Sequence, residues 1–324
     1  MKHHYWEAPI VIYLFLGGLG GGIMFFATLF DLFLAPGSGE LFTLPIFISL
    51  AALAIGCFFL VFELGQPFVF WRVWTTATAI IKWGATLLVI AMFSAFFWWI
   101  SYLPWEWISG IADFFAGMRT VLLTIAGIAG FGIMVYTGVM LSTLKAHAFW
   151  ATPALPVLFT ISAMSTGCAT ITLSLGGWPT VLTLESIFMG SAILQLIHVI
   201  DIVLVFAELT VLLIMVLSFL GAGNKVAKAV AQRWVKGKTA PLFWIGMIGL
   251  GLVAPFLLYV FIPESILATV VAPTLVLCGG LLLRYLCVYS DERAEIPGED
   301  RYYSRCASRD AEFISKWTYG DNLY

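Results

Sequence analysis

The chain has 324 residues, of which 61% are hydrophobic, 16% aromatic and only 10% charged. Soluble domains carry roughly 25% charged residues, so an ordinary water-soluble fold is excluded, as are disorder, nucleic-acid binding and a disulfide-stapled secreted scaffold. What remains is a polytopic membrane protein, for which the net charge of −2 says little and the distribution of charge says much.

A membrane-spanning helix needs about 20 consecutive, mostly apolar residues. Charge-free gaps of that size run from Glu7 to Asp31, Glu40 to Glu63, Lys82 to Glu106, Arg119 to Lys145, Lys238 to Glu264 and Glu264 to Arg284. The stretch from Lys145 to Lys225 holds two more, divided by the turn signal Gly176-Gly177-Trp178-Pro179. Eight spans are therefore predicted, near 10–34, 42–63, 83–103, 120–144, 154–175, 189–220, 241–262 and 266–289, with 181–188 as an interfacial or tilted entry to the sixth. The runs are continuous rather than alternating, which argues against barrel strands. The expected fold is all-α, arranged as two four-helix bundles. Residues 1–290 form the transmembrane domain and 291–324 a soluble C-terminal tail.

An even number of spans puts both termini on one side. Fifteen of the sixteen Lys and Arg residues, from Lys2 to Lys316, fall on that side, and only Arg119 on the other. The positive-inside rule then makes the termini cytoplasmic, and a bacterial inner membrane is the expected location. The first span lacks a short apolar core followed by small residues, so it reads as a retained anchor rather than a signal peptide. The loop 221–240 carries five basic residues and no acid, which fits the topology signal and also lipid headgroup or partner binding. The tail carries eight acids, five bases and the aromatics Tyr302, Tyr303, Trp317, Tyr319 and Tyr324, suiting a docking arm or an interfacial belt.

Several chemistries lack their residues. Cys57, Cys168, Cys278, Cys287 and Cys306 are scattered, whereas an iron–sulfur cluster needs four cysteines at suitable spacing. The histidines are His3, His4, His147 and His198, of which only His198 lies within a span, leaving no pair to hold a membrane haem. No metal site and no P-loop are expected.

Ionisable groups inside the membrane are costly and are functional candidates. The sixth span holds Gln195, His198, Asp201 and Glu208. At about 100° per residue, the last three fall within one arc of about 80°, implying a polar face. Glu63 ends the second span ahead of Leu64-Gly65-Gln66-Pro67 and Phe68-Val69-Phe70-Trp71-Arg72. Glu7 opens the first span, followed by Tyr13 and then Gly17-Gly18-Leu19-Gly20-Gly21-Gly22. The pairs Gly17/Gly21 and Gly18/Gly22 permit close helix approach.

The segment Tyr13-Leu14-Phe15-Leu16-Gly17-Gly18-Leu19 resembles the first-helix signature of the NrfD/PsrC family, the membrane subunit of polysulfide reductase and its relatives. Glu63-Leu64-Gly65-Gln66-Pro67 with Phe70-Trp71 is similar to that family's Asp-Leu-Gly-Arg-Pro loop, with Glu for Asp and Gln66 in place of Arg. Tyr136-Thr137-Gly138-Val139-Met140-Leu141-Ser142, Trp150, Pro156, Leu158-Phe159 and Ser162-Ala163-Met164-Ser165-Thr166-Gly167 resemble its most specific stretch. Asp201 through Glu208-Leu209 and Gly279-Gly280-Leu281-Leu282-Leu283-Arg284-Tyr285 complete the succession.

The resemblance implies a quinone-reactive subunit serving menaquinone or ubiquinone. Its implied partners are a four-cluster ferredoxin-like iron–sulfur protein and a molybdopterin catalytic subunit. By the same resemblance Tyr13 corresponds to a quinone-site residue, Tyr136 more loosely. Glu63, Gln66, Trp71 and Arg72 then form the docking loop. Family members commonly dock their partner on the face carrying the termini, often outside the cell; here the basic residues put that face inside.

Quinone exchange moves protons as well as electrons. Glu7, Tyr13, Tyr136, His198, Asp201 and Glu208 are the expected quinone and proton-transfer residues, with Asp201 orienting a titrating His198. Two other readings compete: a secondary transporter or ion-conducting protein using Glu63, Asp201 and Glu208 as carriers, and a purely structural anchor.

Overall fold

The structure is a computed structural model that describes residues 8–34, 36, 39–63, 72–75, 79–103, 109–145, 147–176, 184–221, 225–263 and 265–291, without the side chains of 62–63, 176 and 184–191. Among the described residues there are helices and no β-strand. Eight helices are long and apolar enough to cross a membrane. They are α1 (Ala8–Leu34), α2 (Thr43–Glu63), α3 (Ile80–Ile100), α5 (Arg119–Ser142), α6 (Ala154–Gly176), α7 (Leu184–Gly221), α9 (Leu242–Phe261) and α10 (Leu267–Val288). Two short helices, α4 (Ser109–Ala116) and α8 (Lys225–Lys236), lie between spans. The predicted spans agree with these bounds to within a few residues. The expected entry to the sixth span belongs to α7 itself from Leu184 onward, a single helix of 38 residues. At 1.5 Å per residue it is far longer than a bilayer core of about 30 Å.

Helices α1, α2, α3 and α5 pack as one four-helix bundle, and α6, α7, α9 and α10 as a second. The bundles share a seam in which α1 touches α6 and α10, and α5 touches α6. Helix α1 is the most buried of the spans, and its glycines explain how one helix serves two bundles. A Cβ on Gly21 would lie 2.5 Å from the Gly130 carbonyl oxygen of α5, whereas one on Gly22 would run into the Ala163 carbonyl and Gly167 of α6. The two glycine stripes seen in the sequence thus face two different helices. Polar locks reinforce the contacts: Thr28 Oγ1 donates to Leu123 O at 2.8 Å and Ser49 Oγ to Gly20 O at 2.7 Å. In a bilayer such hydrogen bonds and close packing replace the hydrophobic drive between helices.

Helices α9 and α10 begin as π-helix, Leu242–Val253 and Leu267–Val271, and each π segment runs into a proline-containing turn at Pro255 or Pro273. They cross at Gly251 and Gly279, where a Cβ on either would lie 2.6 Å from the other's Cα. At the end away from the termini, Arg119 donates through Nε to Ser101 Oγ at 2.8 Å and through a second nitrogen to Ser101 O, with its guanidinium 3.9 Å over the Tyr102 ring. Burial pushes the Tyr102 phenol up and Arg119 pulls it down.

Candidate functional site

Tyr13 lies near the start of α1 and faces the first bundle, fully enclosed. Gly56 of α2 lies beside its ring, and a Cβ there would make only ordinary contact with Tyr13 Cδ2 at 3.7 Å. It lies within electrostatic reach of Tyr136 and Cys57. Tyr136 of α5 is also buried, its hydroxyl 3.6 Å from Met140 Sδ, and its ring fills the notch left by Gly84 of α3. Four helices thus bring two phenols together at the end of the first bundle where the chain begins. Glu7, Gln66 and Trp71 lie outside the described residues, as does the side chain of Glu63, which closes α2. Arg72 is exposed on a short turn closed by Thr75 Oγ1 donating to its carbonyl at 2.7 Å.

The acids of the sixth span belong to the second bundle. Asp201 of α7 is wholly buried. Its Oδ1 accepts from Ser165 Oγ of α6 at 3.1 Å and its Oδ2 from the Tyr259 hydroxyl of α9 at 3.0 Å. The expected pairing of His198 with Asp201 is therefore replaced: both carboxylate oxygens are engaged from other helices. His198 instead lies half-buried against the Tyr259 ring, with centroids 5.0 Å apart, and its Nε2 makes no hydrogen bond. Gln195 is exposed on the outer surface.

Two turns further along α7, Glu208 is buried, within electrostatic reach of Ser162 of α6 and of Arg284. Arg284 is one of the largest completely buried side chains. It stands near the end of α10, and its side chain turns into the seam between the bundles. Its Nη1 donates to Ser162 Oγ at 3.0 Å and Gly280 O at 2.8 Å, and its Nε to Leu14 O of α1 at 3.3 Å. Gly18 provides the space, because a Cβ there would approach Nη2 to 2.9 Å. Burying one charge alone would cost many kcal/mol, and an opposite charge with hydrogen bonds offsets this.

The result is a file of polar groups through the second bundle: Tyr259, Asp201 and Ser165, then Glu208, Ser162 and Arg284. Hydroxyls and carboxyls in such a file can hold and hand on protons. The tyrosine pair and this file stand on opposite sides of α1. Tyr259 is absent from the residues that the sequence singles out, although a tyrosine late in an otherwise apolar span is a usable signal. Ser162, Ser165 and Arg284 lie in the quoted motifs without an assigned role. Among the described residues no three His, Cys, Asp or Glu side chains converge as a metal would need.

The comparisons with known proteins address the whole arrangement. The family model described as "Polysulphide reductase, NrfD" matches residues 1–291, which takes in all eight spans. The chain belongs to this NrfD family. Among its relatives, Protein NrfD of Escherichia coli is 29% identical over 89% of this chain and 95% of its own length. The C subunit of polysulfide reductase from Wolinella succinogenes is 25% identical over 89% of this chain and 94% of its own. The NrfD homolog of Haemophilus influenzae is 22% identical over the same shares. The NrfD match thus covers both the tyrosine pair and the buried file, and the tail from 292 onward lies beyond it.

Proposed function

We propose that this NrfD-family protein is the quinone-reactive membrane anchor of a respiratory oxidoreductase complex. It exchanges electrons between menaquinone or ubiquinone and a four-cluster ferredoxin-like iron–sulfur subunit, itself joined to a molybdopterin catalytic subunit. The observation that carries the reading is the buried pair of phenols, Tyr13 and Tyr136, at the end of the first bundle where the chain begins. Two hydroxyl donors from facing helices suit the two carbonyl oxygens of a quinone. The likeness to the C subunit of polysulfide reductase supports a place in a multi-subunit reductase.

The quinone supplies the redox chemistry, with two electrons and two protons passing per turnover. The chain's own residues orient it, exclude water and manage protons. Tyr13 and Tyr136 bond the headgroup. Asp201, with Ser165 and Tyr259, and Glu208, with Ser162 and Arg284, hold the protons that quinone exchange takes up or releases. His198 assists at the edge of the file. The loop residues Glu63, Gln66, Trp71 and Arg72 meet the iron–sulfur partner, and the basic residues support a cytoplasmic face for both termini and partner.

Purification of the complex from its native membrane, with metal and quinone analysis, tests this. Expected are a copurifying cluster-bearing subunit and bound quinone. Quinone-free protein with that subunit would leave an anchor only. A chain that purifies without any such subunit would favour an ion-conducting protein that uses the buried carboxyls as carriers.

A further inference from the structure

Helix α8 closes the end of the second bundle and is sharply two-sided. Ala227, Val230, Ala231 and Trp234 are buried on one face. Trp234 packs on Phe149 and Phe243 and donates through Nε1 to Ser290 Oγ at 3.0 Å. Its apolar face is therefore already used within the protein. On the opposite side Lys225, Lys228, Gln232 and Lys236 are exposed within an arc of about 80° at helical spacing, and the exposed Lys238 follows. From Leu209 to Pro263 the sequence holds no Asp or Glu.

We infer that this outer edge of α8 is a docking strip for the anionic phospholipid headgroups of the leaflet on the side of the termini. Position supports it: residues 222–224 join α8 to the end of α7, and residues 237–241 lead straight into α9. The strip therefore stands at the level where spans leave the membrane. Its chemistry favours lipid over protein. Protein interfaces are enriched in Arg and aromatics and depleted in Lys, whereas this edge is lysine, with its tryptophan turned inward. The helix's arginine is engaged elsewhere, Arg233 donating to Tyr289 O at 3.2 Å and Ser290 Oγ at 3.3 Å. Flexible lysine stems can follow a fluid array of phosphates, and basic segments beside a span are drawn to an anionic leaflet.

The test uses the full-length protein reconstituted into vesicles of phosphatidylglycerol and phosphatidylethanolamine, re-extracted in neutral detergent, with retained lipid quantified by mass spectrometry. Phosphatidylglycerol is expected to be retained several-fold over its share in the vesicle, and the enrichment to fall as salt is raised. A variant with Lys225→Gln, Lys228→Gln, Lys236→Gln and Lys238→Gln should lose the enrichment while melting as the parent does, and four Lys→Arg changes should keep it. Enrichment that is absent, indifferent to salt, or unchanged in the Gln variant overturns the assignment. So does a strip covered by a copurifying acidic protein without enriched lipid. Should the Gln variant not fold, the salt response of the unaltered protein decides.

Discussion

Arg284 and Leu14 stand 270 residues apart and are joined by a hydrogen bond, Nε to the backbone carbonyl at 3.3 Å. The same guanidinium reaches Glu208 electrostatically and Ser162 directly. One side chain therefore ties the seam between the bundles to the carboxyl file.

Arg284→Met removes the cation within electrostatic reach of Glu208 together with its hydrogen bonds to Leu14, Ser162 and Gly280, and a hydrogen bond from a charged group contributes about 1.5–3 kcal/mol. A large loss of thermal stability is expected. Arg284→Met combined with Glu208→Gln should recover much of it, because no uncompensated charge remains. Equal melting temperatures for the single and double variants would show that the two groups do not share an environment.

Two glycines of α1 make a contrasting pair. Gly22→Val drives side-chain atoms into the Ala163 carbonyl and Gly167, where only backbone is available to yield. Overpacking of this kind typically costs about 1–3 kcal/mol, and a sharp fall in monodisperse protein should follow. Gly17→Ala meets Thr137 Cγ2 at 3.6 Å, an ordinary contact, and should be tolerated. Size-exclusion profiles in detergent would compare the two.

Tyr13→Phe removes one donor and keeps the ring that packs against Gly56. Losing a hydrogen bond to a bound neutral group costs about 0.5–1.5 kcal/mol, so apparent quinol affinity should weaken several-fold in an assembled complex. Tyr136→Phe should act in the same direction. Steady-state quinol titration reads both, and unchanged affinity in both variants would move the site away from the phenols.

Asp201→Asn keeps the shape but removes a proton carrier, and its amide can accept from only one of the two hydroxyls, Ser165 or Tyr259, that donate to the carboxylate. Turnover should fall while apparent quinol affinity holds, since Asp201 lies across α1 from the tyrosines. A matching loss of affinity would place the two groups in one site.

Reporter fusions at Tyr324 and within 104–118 should report opposite sides, with the C-terminal one cytoplasmic. The reverse pattern would overturn the orientation read from the basic residues.

The spans are legible in the sequence because a bilayer imposes length and apolarity on each one separately, whatever its neighbours do. The two glycine stripes of α1 are legible for a similar reason: closeness of approach is written in residue size. Arg284 is not. Near a span end, an arginine that reaches the interface and one folded into the seam have the same one-dimensional surroundings. The spacing of His198 and Asp201 places them on neighbouring parts of one helix, but spacing within a helix cannot reveal that Ser165 and Tyr259, from α6 and α9, occupy both carboxylate oxygens.

The central place of α1 has a consequence for how the protein is made. The ribosome delivers α1 first, yet its neighbours α5, α6 and α10 arrive later, and the Arg284 that holds Leu14 arrives almost last. The earliest helix to enter the membrane must therefore wait for α5 and then α6 to cover its two glycine faces, and for the eighth span to bring Arg284 to Leu14. Chains that stop before the eighth span would carry an unfilled seam and an uncompensated acid at Glu208. Until α10 docks, the chain therefore stays in the incompletely packed kind of state from which misassembly starts.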